Sequence, residues 1–285
     1  MLTMTKPYRL GLYEKSMPNG LALSKKLLLT RESGFDYLEL SIDETDEKLA
    51  RLDWDEETLA QLESSMHETG VPIHSICLSG HRKYPMGHPD PAVRARSMEI
   101  MEKAIRLASR LNIRLIQLAG YDVYYLEGSD QTRELFARNL RKAAHMAAAY
   151  GVMLAFETME TPFMNTVEKA MRYVHSTQSA WLQVYPDSGN LTNAAGGNAG
   201  RVLADLDAGR GHLAALHLKE TVPGVFREVP FGTGHVDFTA IARKAYELDV
   251  RTFVGEFWYT GSDHWREDLA SANRFLRDHL NHAVQ

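Results

Sequence analysis

Four times in the second half of this chain, a short apolar run leads to a single polar side chain. The four polar side chains are Glu157, Asp187, His217 and Glu256. Short apolar runs bounded by glycine or turn residues are typical of strands that are buried on both faces. Successive polar ends lie roughly 30 to 40 residues apart, which is the length of one strand, one helix and two loops. This spacing predicts parallel strands connected by helices.

The rest of the chain continues the same alternation of strand and helix. Eight strand-then-helix units follow one another without a linker or a change in composition. Strict alternation predicts a parallel sheet, and eight units favour closure into a single (β/α)₈ TIM barrel. An open doubly wound sheet is the competing α/β fold, but it binds ligands at one switch point and needs no polar residues at four strand ends. We therefore expect residues 1–285 to form one TIM-barrel domain.

Composition narrows the classes of function. A hydrophobic fraction of 44% and a charged fraction of 24% are ordinary for a soluble globular protein. The net charge of −5 gives no basic face for nucleic acid. Cys77 is the only cysteine, so an internal disulfide is impossible and a cytoplasmic location is expected. The N-terminal segment lacks the apolar core of a signal peptide, and no apolar run is long enough to predict a membrane span.

The four polar strand ends predict a metal centre. In a parallel barrel the carboxyl ends of all strands meet at one rim, so these side chains are expected to converge. Carboxylates favour Mg²⁺ or Mn²⁺, and an imidazole also admits Co²⁺, Fe²⁺, Ni²⁺ or Zn²⁺. Taken singly, Glu157 could form an ion pair, Asp187 could form a turn, and His217 could be a buried core residue. The shared position at four consecutive strand ends favours one common divalent ion.

The four polar ends lie in distinctive motifs, which are residues 155–159 (AFETM), 187–191 (DSGNL), 217–221 (HLKET) and 254–258 (VGEFW). Four further motifs are residues 11–15, 75–82, 223–226 and 229–232. These motifs resemble those of the sugar-phosphate epimerases of the xylose-isomerase-like TIM-barrel superfamily, and in particular the L-ribulose-5-phosphate 3-epimerases. The resemblance covers nearly the whole chain.

The resemblance implies a reaction and a set of site residues. Glu157, Asp187, His217 and Glu256 would bind one divalent ion, with Mn²⁺ expected first and Mg²⁺, Co²⁺ or Zn²⁺ as alternatives. Glu157 and Glu256 would also exchange protons with the substrate. The implied reaction inverts C3 of a ketopentose phosphate and interconverts L-ribulose 5-phosphate and L-xylulose 5-phosphate. Such a reaction needs an acid and a base on opposite faces of an enediolate.

A phosphate group requires cations or free amides on a protein that is acidic overall. Arg82 is the first candidate, because it follows the third predicted strand and therefore lies at the rim of the metal centre. The other candidates are His81, Lys219, Asn190 and Arg227. Each basic residue could equally be a solvated surface charge.

Four other functions remain open on sequence alone. The first is an aldose–ketose isomerase or a 3-epimerase of another keto-sugar, phosphorylated or free. The others are a dehydratase of an inosose-like ring, a metal-dependent DNA repair nuclease and a non-catalytic sugar sensor. We expect a small-molecule partner and neither nucleic acid nor membrane, and the sequence allows a homo-oligomer.

Overall fold

A computed structural model describes residues 7–284 as eight parallel strands surrounded by helices. The sequence prediction of a single (β/α)₈ barrel is confirmed. The strands are β1 (Arg9–Tyr13), β2 (Tyr37–Ile42), β3 (Ile73–Leu78), β4 (Leu115–Ala119), β5 (Met153–Glu157), β6 (Leu182–Tyr185), β7 (Leu216–Leu218) and β8 (Thr252–Gly255). The N-terminal segment in which no signal peptide was expected lies largely outside the described residues.

Ten α-helices and three short 3₁₀ helices connect the strands within the described residues. The α-helices are α1 (Leu23–Glu32), α2 (Asp46–Leu49), α3 (Glu56–Thr69), α4 (Pro91–Arg110), α5 (Asp130–Tyr150), α6 (Val167–Thr177), α7 (Ser188–Ala194), α8 (Ala199–Asp207), α9 (Phe238–Glu247) and α10 (Trp265–Val284). The 3₁₀ helices are Glu14–Ser16, Ala50–Asp53 and Ser79–Arg82. Among these residues, no helix combines the length and apolar character that crossing a bilayer requires.

Hydrogen bonds run through the sheet in the order β6-β5-β4-β3-β2-β1-β8-β7, and single bridges join its two ends. Val184 of β6 pairs in parallel with Leu213, and Asp187 pairs in parallel with His217. The backbone N–H of His217 also donates to the carbonyl of Pro186 at 2.8 Å. The seam that closes the barrel therefore passes directly through two of the predicted metal ligands.

Local sequence signals explain where several helices begin and end. Asp55 is the N-cap of α3, and its side chain accepts a hydrogen bond from the backbone N–H of Thr58 at 2.8 Å. Gly151 ends α5 with φ of 64°, in the left-handed region that glycine adopts without steric cost. β5 then starts two residues later, which delivers Glu157 to the rim.

Two expectations about local structure were wrong. The apolar residues 213–216 predict the seventh strand, with His217 beyond its end. β7 instead runs from Leu216 to Leu218, because Leu213 makes only a single bridge to β6. The Gly-, Asn- and Ala-rich residues 189–200 predict a loop, but Asp187 caps a helix there, α7. His217 therefore projects from within a strand, whereas Asp187 begins a helix.

Candidate active site

Glu157, Asp187, His217 and Glu256 converge at the mouth of the barrel. Each contributes one potential ligand atom, and these atoms lie within 4.8 Å of one another. The Nδ1 atom of His217 is 3.4 Å from Glu157 Oε1 and 3.4 Å from Glu256 Oε2. It lies 4.0 Å from Asp187 Oδ2. All four residues are buried, so this is a compact cluster of three carboxylates and one imidazole.

The fold presents these side chains in three different ways. Glu157 is the last residue of β5, and His217 is the central residue of β7. Glu256 follows β8 directly, and its backbone N–H donates to the carbonyl of Leu218 at 2.9 Å. Asp187 stands between β6 and α7, where its Oδ1 accepts the backbone N–H of Asn190 at 2.6 Å. Because all four positions are fixed by backbone hydrogen bonding, the cluster is organised by the barrel itself.

Lys219 supplies a positive charge to this acidic cluster. Its Nζ lies 3.2 Å from Asp187 Oδ1 and 3.3 Å from Glu256 Oε2. The side chain is buried and also lies over the ring of Trp258, 5.9 Å from its centroid. Sequence reasoning placed Lys219 among the phosphate candidates. The structure places its ammonium group beside two predicted metal ligands, and the residue also lines the pocket above the cluster.

The two glutamates of the cluster have opposite electrostatic environments. Burial and the nearby charge of Glu256 raise the pKa of Glu157 above its usual value. Burial alone would also raise the pKa of Glu256, but Lys219 and His217 outweigh burial and hold it well below its usual range. Burial raises the pKa of Asp187 well above its ordinary value, although Lys219 opposes this. Such divergence between two carboxylates is typical of acid and base pairs.

The cluster can accept a metal ion. A buried carboxylate oxygen without a partner is costly, yet Asp187 Oδ2 is buried and has no hydrogen-bond partner. Three carboxylates and one imidazole are also a suitable donor set for a divalent cation. The residues therefore fit one such ion, which would be held by Glu157, Asp187, His217 and Glu256.

A pocket opens above the cluster, and its empty volume, including the solvent-open mouth, is about 500 Å³. Glu157 and Glu256 line its floor. Its other lining residues are Tyr13, Lys15, Cys77, Ser79, Arg82, Met159, Glu160, Asn190, Lys219, Phe226, Arg227 and Trp258. The mixture of aromatic and charged side chains suits a small polar ligand with a charged end.

Arg82, Arg227 and Asn190, three of the phosphate candidates, line this pocket. The Arg82 guanidinium lies 4.9 Å from the ring centroid of Tyr124, and its buried Nε has no hydrogen-bond partner. Arg227 Nη2 lies 3.6 Å from Glu160 Oε1. Asn190 donates to the carbonyl of Thr158 at 2.7 Å, and its Oδ1 has no partner. Arg82 and Asn190 therefore each have an unpaired polar atom, and Arg227 has an ion-pair partner that a bound ligand could replace.

The structure does not bring His81, another phosphate candidate, to the pocket. His81 is buried, and its Nε2 lies 3.1 Å from the carbonyl of Ser97 on α4. Burial lowers the pKa of His81 to about 4. It is therefore a neutral packing residue between the 3₁₀ helix Ser79–Arg82 and α4, despite being adjacent to Arg82 in sequence.

Sequence reasoning missed several residues of the site. Glu39 of β2 contacts His217, and Gln117 of β4 donates a hydrogen bond to Glu157. Lys15 and Glu160 line the pocket. One signal was available for Glu39, because a charge in the middle of an apolar strand must find buried partners. Gln117 also lies in the middle of an apolar strand but is uncharged, so its signal is weaker, and Glu160 lies in a loop, where charged residues are common.

Comparison with known proteins agrees with this geometry. The family model described as "Xylose isomerase-like TIM barrel" matches residues 27–279. The chain belongs to this family. It is 49% identical over 275 residues to the L-ribulose-5-phosphate 3-epimerase UlaE of Salmonella paratyphi C, covering 96% of this chain and 95% of the relative. It is 48% identical over 235 residues to the UlaE of Escherichia coli O139:H28, covering 82% of this chain and 81% of that relative.

Solved structures of two epimerases share the fold at low sequence identity. A D-psicose 3-epimerase from Clostridium cellulolyticum H10, solved with D-tagatose, superimposes with a TM-score of 0.80 at 17% identity, covering 95% of this chain and 99% of that chain. An L-ribulose 3-epimerase superimposes with a TM-score of 0.75 at 19% identity, covering 97% and 96%. With curated relatives at 49% identity named as epimerases, the chain is an enzyme of the carbohydrate-epimerase class of isomerases.

Proposed function

We propose that this enzyme is a metal-dependent 3-epimerase that interconverts L-ribulose 5-phosphate and L-xylulose 5-phosphate, with Mn²⁺ as the preferred ion. The observation that carries the proposal is the pair Glu157 and Glu256, which line one pocket and each place a carboxylate oxygen 3.4 Å from His217 Nδ1. Relatives that are 49% identical and named for the same reaction support it. We also propose that residues 1–285 form one domain and that the enzyme acts in the cytoplasm.

The chemistry requires one group to remove the C3 proton and another to return a proton to the opposite face. Glu256 suits the base, because Lys219 and His217 keep it ionised. Glu157 suits the second group, because it lines the same pocket as Glu256, and burial and the charge of Glu256 raise its pKa. A divalent ion held in the cluster would act as a Lewis acid for the negative charge that develops on the substrate oxygens. In the reverse reaction the two glutamates exchange these functions.

The outer pocket suits the phosphate end of the substrate. Arg82 has an unpartnered Nε there, and Arg227 lines the same pocket and lies 3.6 Å from Glu160. Arginine binds phosphate oxygens through a planar fork of donors, so two arginines in one pocket would favour a phosphorylated ketose over a free one. Asn190 Oδ1 is a free acceptor nearer the cluster and would bind a sugar hydroxyl.

Solvent deuterium incorporation at C3 tests the two-base assignment. Glu157→Gln and Glu256→Gln should each abolish epimerisation of L-ribulose 5-phosphate, because one proton-transfer step is lost in either variant. The exposed residue Glu32 on α1 offers a control, and Glu32→Gln should leave turnover unchanged. Full exchange at C3 with epimerisation intact in either cluster variant would refute the two-base scheme.

A second candidate is a 3-epimerase of a free keto-sugar, which the Glu160 carboxylate favours. It lies 3.6 Å from Arg227 and accepts a hydrogen bond from Tyr121 at 2.6 Å, so it could bind hydroxyl groups in place of a phosphate. The ratio of kcat/KM for L-ribulose 5-phosphate to that for L-ribulose separates the candidates. A ratio above about 100, or roughly 3 kcal/mol of discrimination, supports the phosphorylated substrate.

A further inference from the structure

Glu39 is a buried carboxylate that the proposed proton transfers do not use. It lies in the middle of β2 and has no solvent exposure. Its Oε1 is 2.7 Å from His217 Nε2. Burying a carboxylate costs several kcal/mol unless its oxygens are paired, so the partners of Glu39 indicate what it does.

The second oxygen of Glu39 is already saturated by two hydroxyl groups. Ser75 Oγ donates to Oε2 at 2.6 Å, and the Tyr185 hydroxyl donates to the same atom at 3.0 Å. Glu39 therefore directs Oε1 towards His217. Tyr185 also packs against His217, with 4.6 Å between ring centroids. The imidazole is thus held by Glu39 at Nε2 and by the tilted ring of Tyr185.

The contact with Glu39 determines which imidazole nitrogen can bind a cation. An ionised carboxylate only accepts hydrogen bonds, so Nε2 must carry a proton. Nδ1 is then the nitrogen that can offer a lone pair to a bound cation, and it lies 3.4 Å from both Glu157 Oε1 and Glu256 Oε2. Carboxylates that accept the remote N–H of a ligating histidine fix its tautomer and orientation in many metal sites.

We propose that Glu39 is a positioning residue for His217, which fixes the Nε2–H tautomer so that Nδ1 enters the metal centre. The inference rests on the proposed metal dependence and adds Glu39 to the residues that the metal centre needs. A purely structural alternative exists, in which Glu39 only joins Ser75 and Tyr185 in a polar layer inside the barrel. The two differ in one respect, because only the positioning function couples Glu39 to metal affinity.

Isothermal titration of the purified chelator-treated protein with Mn²⁺ tests the proposal. Glu39→Gln should raise the Kd for Mn²⁺ by about 10- to 100-fold, the loss that follows when a metal-ligating histidine loses its carboxylate partner. Ser75→Ala is the matched control, because it removes another hydrogen bond of Glu39 but keeps the contact with His217. Its Kd should stay within about threefold of the original.

Each outcome is decisive. If the unaltered protein binds Mn²⁺ but Glu39→Gln binds it equally well, only the positioning function is wrong. Equal losses in Glu39→Gln and Ser75→Ala support the structural alternative and overturn the proposal. If the unaltered protein binds no Mn²⁺, the metal dependence and the positioning function both fail.

A measurement on the unaltered protein covers the case in which Glu39→Gln does not fold. In protein loaded with diamagnetic Zn²⁺, ¹⁵N–¹H correlation spectra of the histidine rings should show His217 protonated at Nε2, with a strongly hydrogen-bonded proton, and metal-ligated at Nδ1. The assignment can be made with His217→Gln. A His217 ring protonated at Nδ1 would overturn the proposal, because Glu39 would then have no proton to accept.

Discussion

Asp187 uses its two carboxylate oxygens for different purposes. Oδ1 caps α7 through the backbone N–H of Asn190 and faces Lys219, whereas Oδ2 is buried without a hydrogen-bond partner. Capping is satisfied equally well by an amide oxygen, but cation binding prefers the charged carboxylate. A turn-forming residue and a metal ligand were alternative interpretations of this position from sequence, and the geometry accommodates both.

Asp187→Asn should separate the two functions. The asparagine keeps the helix cap and removes the buried carboxyl group of Asp187. Burial raises the pKa of that carboxyl group well above its ordinary value. We expect the chelator-treated variant to unfold at a temperature equal to or above that of the unaltered protein. Its Mn²⁺ affinity should fall by more than about tenfold. Differential scanning calorimetry with and without Mn²⁺ measures both effects, and an unchanged metal-induced increase in Tm would contradict the ligand assignment.

Arg82→Met should separate phosphate binding from metal binding. The substitution removes the guanidinium but retains an unbranched apolar stem beside Tyr121 and Tyr124. KM for the phosphorylated sugar should rise at least about tenfold, equivalent to the loss of roughly 1.4 kcal/mol of binding. The Kd for Mn²⁺ should not change, and Arg106→Met on the exposed face of α4 serves as the control. An unaltered KM would exclude Arg82 from phosphate binding.

At the scale of elements, one buried carboxylate connects the start of the chain to three following segments. Glu14 follows β1 and is fully buried. It lies 2.9 Å from Lys26 of α1, 2.6 Å from Lys48 of α2 and 2.6 Å from Arg51 of the next 3₁₀ helix. Burial alone would raise the pKa of Glu14, but these three cations hold it well below its usual range.

Glu14→Gln should therefore destabilise the fold strongly. Three buried cations would share a neutral amide, and removing one partner of a buried ion pair typically costs about 3–5 kcal/mol. Urea unfolding monitored by circular dichroism measures the change, with the surface substitution Glu32→Gln expected within about 0.5 kcal/mol of the unaltered protein. A loss below about 1 kcal/mol for Glu14→Gln would show that these pairs do not join the elements.

The contact between the 3₁₀ helix Ser79–Arg82 and α4 should make stability depend on pH. Burial lowers the pKa of His81 to about 4 from 6.5, and its Nδ1 has no partner that could accept an added proton. Between these two pH values the unfolded chain binds the proton and the folded chain does not. The stabilisation by neutral His81 is thus complete above pH 6.5 and is lost as pH falls towards 4.

The free energy of unfolding should fall by up to about 3 kcal/mol, which corresponds to lowering a pKa from 6.5 to about 4. His81→Gln keeps a donor for the Ser97 carbonyl but cannot titrate. The free energy of unfolding of the variant should therefore fall less than that of the unaltered protein between pH 7 and pH 4.5. His67→Gln on exposed α3 is the control. Identical pH profiles for His81→Gln and the unaltered protein would refute the assignment.

At the scale of the whole molecule, the barrel and its four converging side chains follow from the sequence because both are periodic. Eight repeats fix the architecture, and parallel strands bring Glu157 and Glu256 to one rim. The bounds of single strands are less predictable. Residues 213–216 are as apolar as a strand, but they pair with β6 only once. His81 and Arg82 are neighbours in sequence, yet the short 3₁₀ helix buries one and directs the other to the pocket.

Glu39 and Lys219 show a second limit to sequence interpretation. Their importance depends on contacts across the barrel, between β2 and β7 and between β7 and the β8 end, which no local pattern encodes. A buried charge indicates that a partner exists, but only the fold identifies the partner. The same holds for Glu160 and Arg227, whose loops meet only after the barrel has closed.

The most direct test is a coupled assay of the purified protein with L-ribulose 5-phosphate before and after chelation, with metal content measured in parallel. Activity should disappear with the chelator and return at one Mn²⁺ per chain, with Mg²⁺, Co²⁺ and Zn²⁺ compared at the same concentration. Full activity after complete metal removal, or no formation of L-xylulose 5-phosphate with any of these ions, would contradict the proposed function.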